Sequence, residues 1–221
     1  MKSTPLWMLL FAGVLLGASG ACGTASVDDG DTGDEAEPGD DDDTGDDGSS
    51  AICPGDYALA PAEWDPWFTD AERISDISEL AGCEVIEGNL SLAGTELTNL
   101  DSLSSLTAVG ERLWIRDNLA LTSLEGLSSL TSVGGDLWIG GNDALTQVDG
   151  LWSLTAVGDA LSISHNDVLA NLDGVANLTS VGHTLSIYDN AGLCQDFVDA
   201  FIEACSIGGQ VYTDGNDGAC P

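Results

Sequence analysis

Positive charge is almost missing from this chain of 221 residues. Four Lys and Arg stand against 38 Asp and Glu, a formal net charge of −34 at pH 7. The cations are Lys2, Arg73, Arg112 and Arg116. A duplex or any phosphate-rich surface would repel such a chain, which excludes nucleic acid as a partner. The same charge favours solubility and a loose attraction for divalent cations. Histidine is scarce as well. Only His165 and His183 offer acid–base chemistry near neutral pH. No C-x-x-C or H-x-x-x-H spacing occurs, so neither a metal centre nor another cofactor is expected. Nothing reads as a nucleophile elbow or a phosphate loop. Long apolar runs are also lacking after the first residues, so no later segment reads as a membrane span.

The start of the chain reads as an export signal, over residues 1–21. Lys2 supplies a short positive region, Leu6 to Leu16 an apolar one, and small residues follow in "GASGAC". Around Cys22 the stretch resembles a bacterial lipobox. Gly20 and Ala21 fit the two positions before the cysteine, and Ser19 departs from the usual Leu-like residue. Cys22 is therefore the expected lipidation site. Without lipid the protein would be secreted. In either case it leaves the cytoplasm, where disulfides persist.

Residues 22–50 carry the anchor cysteine and then a different material. Twelve acidic residues lie between Asp28 and Asp47, with almost nothing apolar among them. Such a run cannot bury enough surface to offset chain ordering. It reads as an acidic linker that lifts a domain off a membrane. A calcium site would need fixed ligand spacing, and this run has only density.

Residues 51–221 form the folded part, and a repeat organises it. The stretches "LWIRDNLALTSLEGLSSLTSVGGD", "LWIGGNDALTQVDGLWSLTAVGDA", "LSISHNDVLANLDGVANLTSVGHT" and "LSIYDNAGLC" begin at Leu113, Leu137, Leu161 and Leu185, in steps of 24 residues. An earlier copy from Leu90 is one residue shorter. One unit has too few apolar positions to stand alone, so stacked copies must share a core, as a solenoid. Leu and Ile at alternate places mark the inward face of a short strand. Asn118, Asn142, Asn166 and Asn190 recur at one turn. Their amides are expected to bond the backbone of their own and the next coil, as a ladder. Gly110, Gly134, Gly158 and Gly182 each follow a valine, where a sharp corner with positive φ is expected.

These residues resemble the receptor L domain, the ligand-binding module of epidermal-growth-factor and insulin receptors. "GCEVIEGNLSLAG" (82–94) is similar to that family's opening motif, and "IYDNAGLC" (187–194) to its closing one. The resemblance implies a mainly β fold: a right-handed, β-helix-like solenoid of 24-residue coils, akin to leucine-rich repeats, with short capping helices. It implies an N-terminal cap over 51–87, repeats over 88–192 and a C-terminal cap over 193–221. A leucine-rich-repeat horseshoe is the alternative. The receptors' kinase is a separate domain, and no Gly-rich loop, H-R-D or D-F-G stretch occurs here. The resemblance also implies a Cys53–Cys83 disulfide at the opening cap.

Two helices are expected in the caps. In "TDAERISDISELAG", Ile74, Ile77 and Leu80 have helical spacing and Thr69 stands as a cap. Asp196 to Ala204 reads as a second helix, about 13 Å long at 1.5 Å per residue, which makes Cys194 and Cys205 at its ends poor partners. Cys194–Cys220 is the preferred pair, leaving Cys205 free, with Cys205–Cys220 as the alternative. "DGNDG" (214–218) reads as a tight turn rather than a calcium loop.

Strand parity sends one column of residues outward: Ser91, Trp114, Trp138, Ser162 and Ser186. The next outward column is Ala93, Arg116, Gly140, Ser164 and Tyr188. Trp114 and Trp138 are expected side by side, about 4.8 Å apart at the backbone. An exposed aromatic pair beside an arginine has the composition of a binding hot spot. Trp114, Trp138, Arg116 and Tyr188 are the candidate ligand-binding residues. The alternative is that "AEWDPWF" (62–68) covers the tryptophans. His165 and His183 read as surface turn residues, so no catalytic residue is expected. Trp152 lies on another face and carries no assignment. The function expected is non-enzymatic: a lipid-anchored surface module, held on the outer membrane of a Gram-negative envelope, that binds an extracellular protein or glycan. A structural envelope component without a discrete ligand is the alternative, and a polysaccharide-acting enzyme a weaker one.

Overall fold

The structure, a computed structural model, describes residues 51–60 and 70–220. The signal segment, Cys22, the acidic linker, Thr69 and residues 62–68 lie outside the described residues, together with the calls made on them. Among the described residues, short strands follow one another in chain order. They are β1 (Ile52–Cys53), β2 (Tyr57–Leu59), β3 (Glu72–Arg73), β4 (Val85–Ile86), β5 (Leu90–Ala93), β6 (Ala108–Val109), β7 (Leu113–Arg116) and β8 (Ser132–Val133). Then come β9 (Leu137–Gly140), β10 (Ala156–Val157), β11 (Leu161–Ser164), β12 (Ser180–Val181), β13 (Leu185–Tyr188), β14 (Ser206–Ile207) and β15 (Val211–Tyr212). One α-helix, α1 (Gln195–Ala204), precedes β14.

Each coil contributes one strand to each of two parallel sheets. The eight-stranded sheet runs β15-β13-β11-β9-β7-β5-β2-β3, and the seven-stranded one β1-β4-β6-β8-β10-β12-β14. This is a mainly β solenoid of repeats about 24 residues long. Its register is set by the repeat. Leu113 pairs with Leu137, Leu137 with Leu161, and Leu161 with Leu185. A third side of each coil is a 3-10 turn: Asp101–Leu103, Glu125–Leu127, Asp149–Leu151 and Asp173–Val175. Aliphatic columns from all three sides meet inside. Leu113, Leu137, Leu161, Leu124, Leu127 and Ile139 are fully buried. Each such side chain contributes about 1.5–3 kcal/mol over its exposed state.

Two expectations about glycine and the ladder are revised. Gly110, Gly134, Gly158 and Gly182 do not carry positive φ. They are glycine because the coils touch there. A Cβ on Gly134 would lie 2.0 Å from the Gly110 carbonyl oxygen, and one on Gly158 the same distance from that of Gly134. Positive φ falls instead on the residue before each ladder asparagine: Asp117, Gly141, His165, Asp189 and Gly215. That left-handed step turns the asparagine inward.

The asparagines bond the backbone of the coil before them, and from Asn142 on each Nδ2 also donates to the Oδ1 of the next rung: Asn142 to Asn166 at 3.3 Å, Asn166 to Asn190 at 3.2 Å and Asn190 to Asn216 at 3.1 Å. The Asn142 side-chain oxygen accepts from Asn118 N (3.1 Å), and its Nδ2 donates to Ile115 O (3.0 Å). Asn166 and Asn190 repeat the pattern. Asn166 and Asn190 also donate to Ser164 O and Tyr188 O of their own coils. At the first coil Thr95 donates its N and Oγ1 to Asn118 Oδ1. The ladder has one rung more than the repeat suggested. Asn216 donates to Ile187 O (2.8 Å) and accepts from Asn190 N (3.4 Å). "DGNDG" is thus the turn of a truncated further coil. Helix α1 precedes that coil and displaces its register to 26 residues, with Leu185 opposite Val211.

The caps differ in kind. The opening helix expected around Ile74 to Leu80 is only a four-residue 3-10 turn, Ile77–Leu80, preceded by β3. Asp76 accepts from Ser78 N, and Glu79 Oε1 accepts from Asp76 N, which closes a capping box. Hydrogen bonds from Ser78 hold the Asp76 carboxyl below its ordinary pKa, and those from Ser75 Oγ and N, then Asp76 N, do the same for Glu79. They also start a new hydrogen-bonding direction immediately after β3, so the helical spacing of Ile74 has no helix to serve. At the other end α1 buries Val198 and Phe201 against the last coil. Disulfides Cys53–Cys83 and Cys194–Cys220 tie down the two caps. Cys205 is free and buried, and burial raises its thiol pKa. No helix among the described residues is long and apolar enough to cross a membrane.

Candidate functional site

The outer face of the eight-stranded sheet holds the candidate residues. Parallel pairing puts Ser91, Trp114, Trp138, Ser162 and Ser186 in one outward row, and Ala93, Arg116, Gly140, Ser164 and Tyr188 in the next. Trp114 and Trp138 meet edge to face, with ring centroids 5.6 Å apart and planes at 76°. The Arg116 guanidinium carbon lies 5.6 Å from one centroid and 5.7 Å from the other. An aromatic pair of this kind contributes about 0.5–1.5 kcal/mol beyond its area, and a cation over a ring about 0.5–2 kcal/mol. The cluster is therefore held together before any partner arrives.

One expectation about this platform is corrected. Trp114 is not exposed: only 8% of it meets solvent. Trp138 meets it edge-on and Arg116 stands over its ring. Trp138 keeps part of its surface open, as do Arg116 and Tyr188. The accessible part of the face is thus shifted by one coil, toward Trp138. Tyr188 is not part of the tryptophan cluster. It packs edge to face on His165, with centroids 5.4 Å apart.

Gly140 makes a further feature that strand parity alone does not disclose. It stands in the outward row between Arg116 and Ser164, and it has no side chain. The Trp138 indole fills the space. A Cβ built on Gly140 would fall 2.6 Å from Trp138 Nε1 and 3.3 Å from Ser164 Oγ. Both of those atoms are buried and have no hydrogen-bond partner. A buried polar group left unpaired costs about 1–3 kcal/mol, so this corner of the face is held at a cost to stability. Sequence reasoning placed Ser164 in the outward column but not among the candidate ligand-binding residues. The signal available was a Gly–Ser pair in a row otherwise holding Ala, Arg and Tyr.

The two histidines do not form a catalytic constellation. His165 takes the left-handed turn position, with Nδ1 3.7 Å from Asp189 Oδ2. His183 lies in another phase of the coil and its Nδ1 contacts Thr184 Oγ1 at 2.8 Å. Of the other cations, Arg112 pairs with Asp136 at 3.2 Å and Arg73 donates to Ala60 O. Cys194, Asp196 and Cys220 bring three potential metal-ligand atoms together, but both sulfurs are committed to the disulfide.

Residues 82–142 match the family model described as Receptor L domain. The receptor L domain is a non-catalytic binding module. The match covers the coil from Cys83 through the Trp114 strand to the first Trp138 turn. The coils that follow continue the same sheets in the same register. No curated protein matches the chain. The two disulfides and the L-domain match fit an extracellular location.

Proposed function

We propose that this protein is a cell-surface recognition module, probing an extracellular protein or glycan with the outer face of its eight-stranded sheet. The observation that carries the reading is the platform of Trp114, Trp138 and Arg116. Three large side chains are braced against each other on a sheet face whose other outward positions are mostly Ser, Ala and Gly. Aromatic residues and arginine are the types that anchor binding hot spots. Lipidation of Cys22 and a spacer at residues 23–50 would hold the module off an outer membrane, with Tyr188 at the margin of the contact surface. The reading places catalysis nowhere on the chain.

The test uses the full chain immobilised on a sensor surface, with solubilised envelope proteins and polysaccharides flowed over it. The comparison is a Trp114→Ser, Trp138→Ser double variant, which copies the serines of sibling coils. Circular dichroism must first show that both fold alike. Saturable binding that the variant loses supports the reading. Absent or equal binding overturns it and leaves the tryptophans as packing residues.

A further inference from the structure

We infer that the corner at Gly140 is a hydrogen-bonding subsite for an uncharged, pyranose-based polysaccharide, engaged through Trp138 Nε1 and Ser164 Oγ. The inference rests on the recognition reading above and names its ligand class. Its starting point is the pair of buried polar atoms that the protein leaves unpaired at one place. The nearby backbone offers no relief. Ser164 O already accepts from Gly141 N and Asn166 Nδ2, each at 3.1 Å, and Gly140 O accepts from Asp117 N at 2.9 Å.

The missing partner is defined by what these atoms accept and reject. An indole N–H only donates, so the partner must bring an acceptor oxygen. Ammonium and guanidinium groups are donors only and would also meet the Arg116 charge beside the rings. A polyanion would be repelled by the net charge of −34. An uncharged, hydroxyl-rich ligand satisfies every condition. Sugar hydroxyls accept and donate, which suits an indole N–H and a serine hydroxyl together. The open part of the Trp138 ring supplies an apolar surface for a pyranose face. Both atoms are buried, so engagement proceeds with an outward tilt of the indole that lifts Nε1 from Gly140 and brings Ser164 Oγ to the same hydroxyl oxygen.

The test is affinity electrophoresis of the full chain through native gels containing dextran, mannan or a soluble β-glucan, with polygalacturonate as the charged arm. At least one neutral polysaccharide retards the chain, and polygalacturonate does not. Trp138→Phe keeps the ring and removes the N–H. Ser164→Ala removes the hydroxyl with the smallest change in shape. Each weakens retardation at least about tenfold, as for a lost hydrogen bond of about 1.4 kcal/mol, and Trp152→Phe on another face changes nothing. Retardation unchanged in both Trp138→Phe and Ser164→Ala overturns the subsite. So does the absence of retardation by every neutral polysaccharide. If that absence coincides with a captured protein that the double tryptophan variant loses, the sugar assignment falls and the recognition reading stands.

Discussion

Replacing Asn142 by alanine should destabilise the solenoid through two specific backbone groups. In the native coil the Asn142 side chain accepts from Asn118 N at 3.1 Å and donates to Ile115 O at 3.0 Å, and it is fully buried. Alanine leaves the Asn118 N–H unpaired and removes the side-chain donor to Ile115 O, whose carbonyl keeps its partner in the sheet ladder. One unpaired buried group costs about 1–3 kcal/mol, so the loss is about 1–3 kcal/mol. Urea unfolding followed by far-ultraviolet circular dichroism measures it as a fall in midpoint at constant slope. Asn142→Asp separates acceptor from donor. Its carboxylate still accepts from Asn118 N but cannot donate to Ile115 O, and burial disfavours its charge. The folded-state pKa of the new carboxyl then lies above the unfolded value of about 3.9. Its contribution to stability is present below pH 3.9 and is lost as pH rises through the folded value. The Asp variant should therefore gain on wild type as the solution is acidified from pH 7. If Asn142→Ala falls within about 0.5 kcal/mol of wild type, a range typical of surface changes, the ladder does not join the coils as argued.

Three further outcomes follow from the packing. Gly134→Ala places a methyl 2.0 Å from the Gly110 carbonyl oxygen and should cost more than about 3 kcal/mol or prevent folding, read in the same urea titration. Cys53→Ser with Cys83→Ser opens a loop of 30 residues and should cost about 3–4 kcal/mol by the chain-entropy relation; a loss below about 1 kcal/mol would show that the opening cap needs no staple. Cys205 is buried with a raised thiol pKa, so a thiol reagent at pH 8 should label it slowly in the folded protein and fast in urea.

Much of the fold was legible because a solenoid writes its geometry into a period. Alternating Leu and Ile at 24-residue spacing fixed both the strands and their register. The Asn column announced a ladder, since one amide per coil at one turn has few other uses. The family resemblance added the order of caps and coils. What stayed hidden was of another kind. The fifth rung at Asn216 escaped because α1 changes the spacing from 24 to 26. The valine-following glycines were assigned to a corner, but the neighbouring coil's carbonyl, not their own φ, forbids a side chain. The opening helix shrank to a 3-10 turn because β3 takes the residues before Asp76 into the sheet. At the candidate site, parity placed Trp114 and Trp138 correctly on the outer face. It could not tell that the first would be buried and the second left partly open. Nor could it show that the indole of Trp138 reaches across Gly140 to Ser164, because that contact depends on a rotamer and not on spacing.

The central claim is that the open part of the Trp138 surface is where a partner sits. Hydroxyl-radical footprinting of the full chain, with and without saturating envelope extract, tests it most directly. Trp152, 63% exposed on another side of the coil, serves as the internal reference. The account predicts that extract slows oxidation of Trp138 several-fold and leaves Trp152 unchanged. Equal oxidation of Trp138 in both samples, from an extract that demonstrably binds the chain, would place the recognition surface elsewhere.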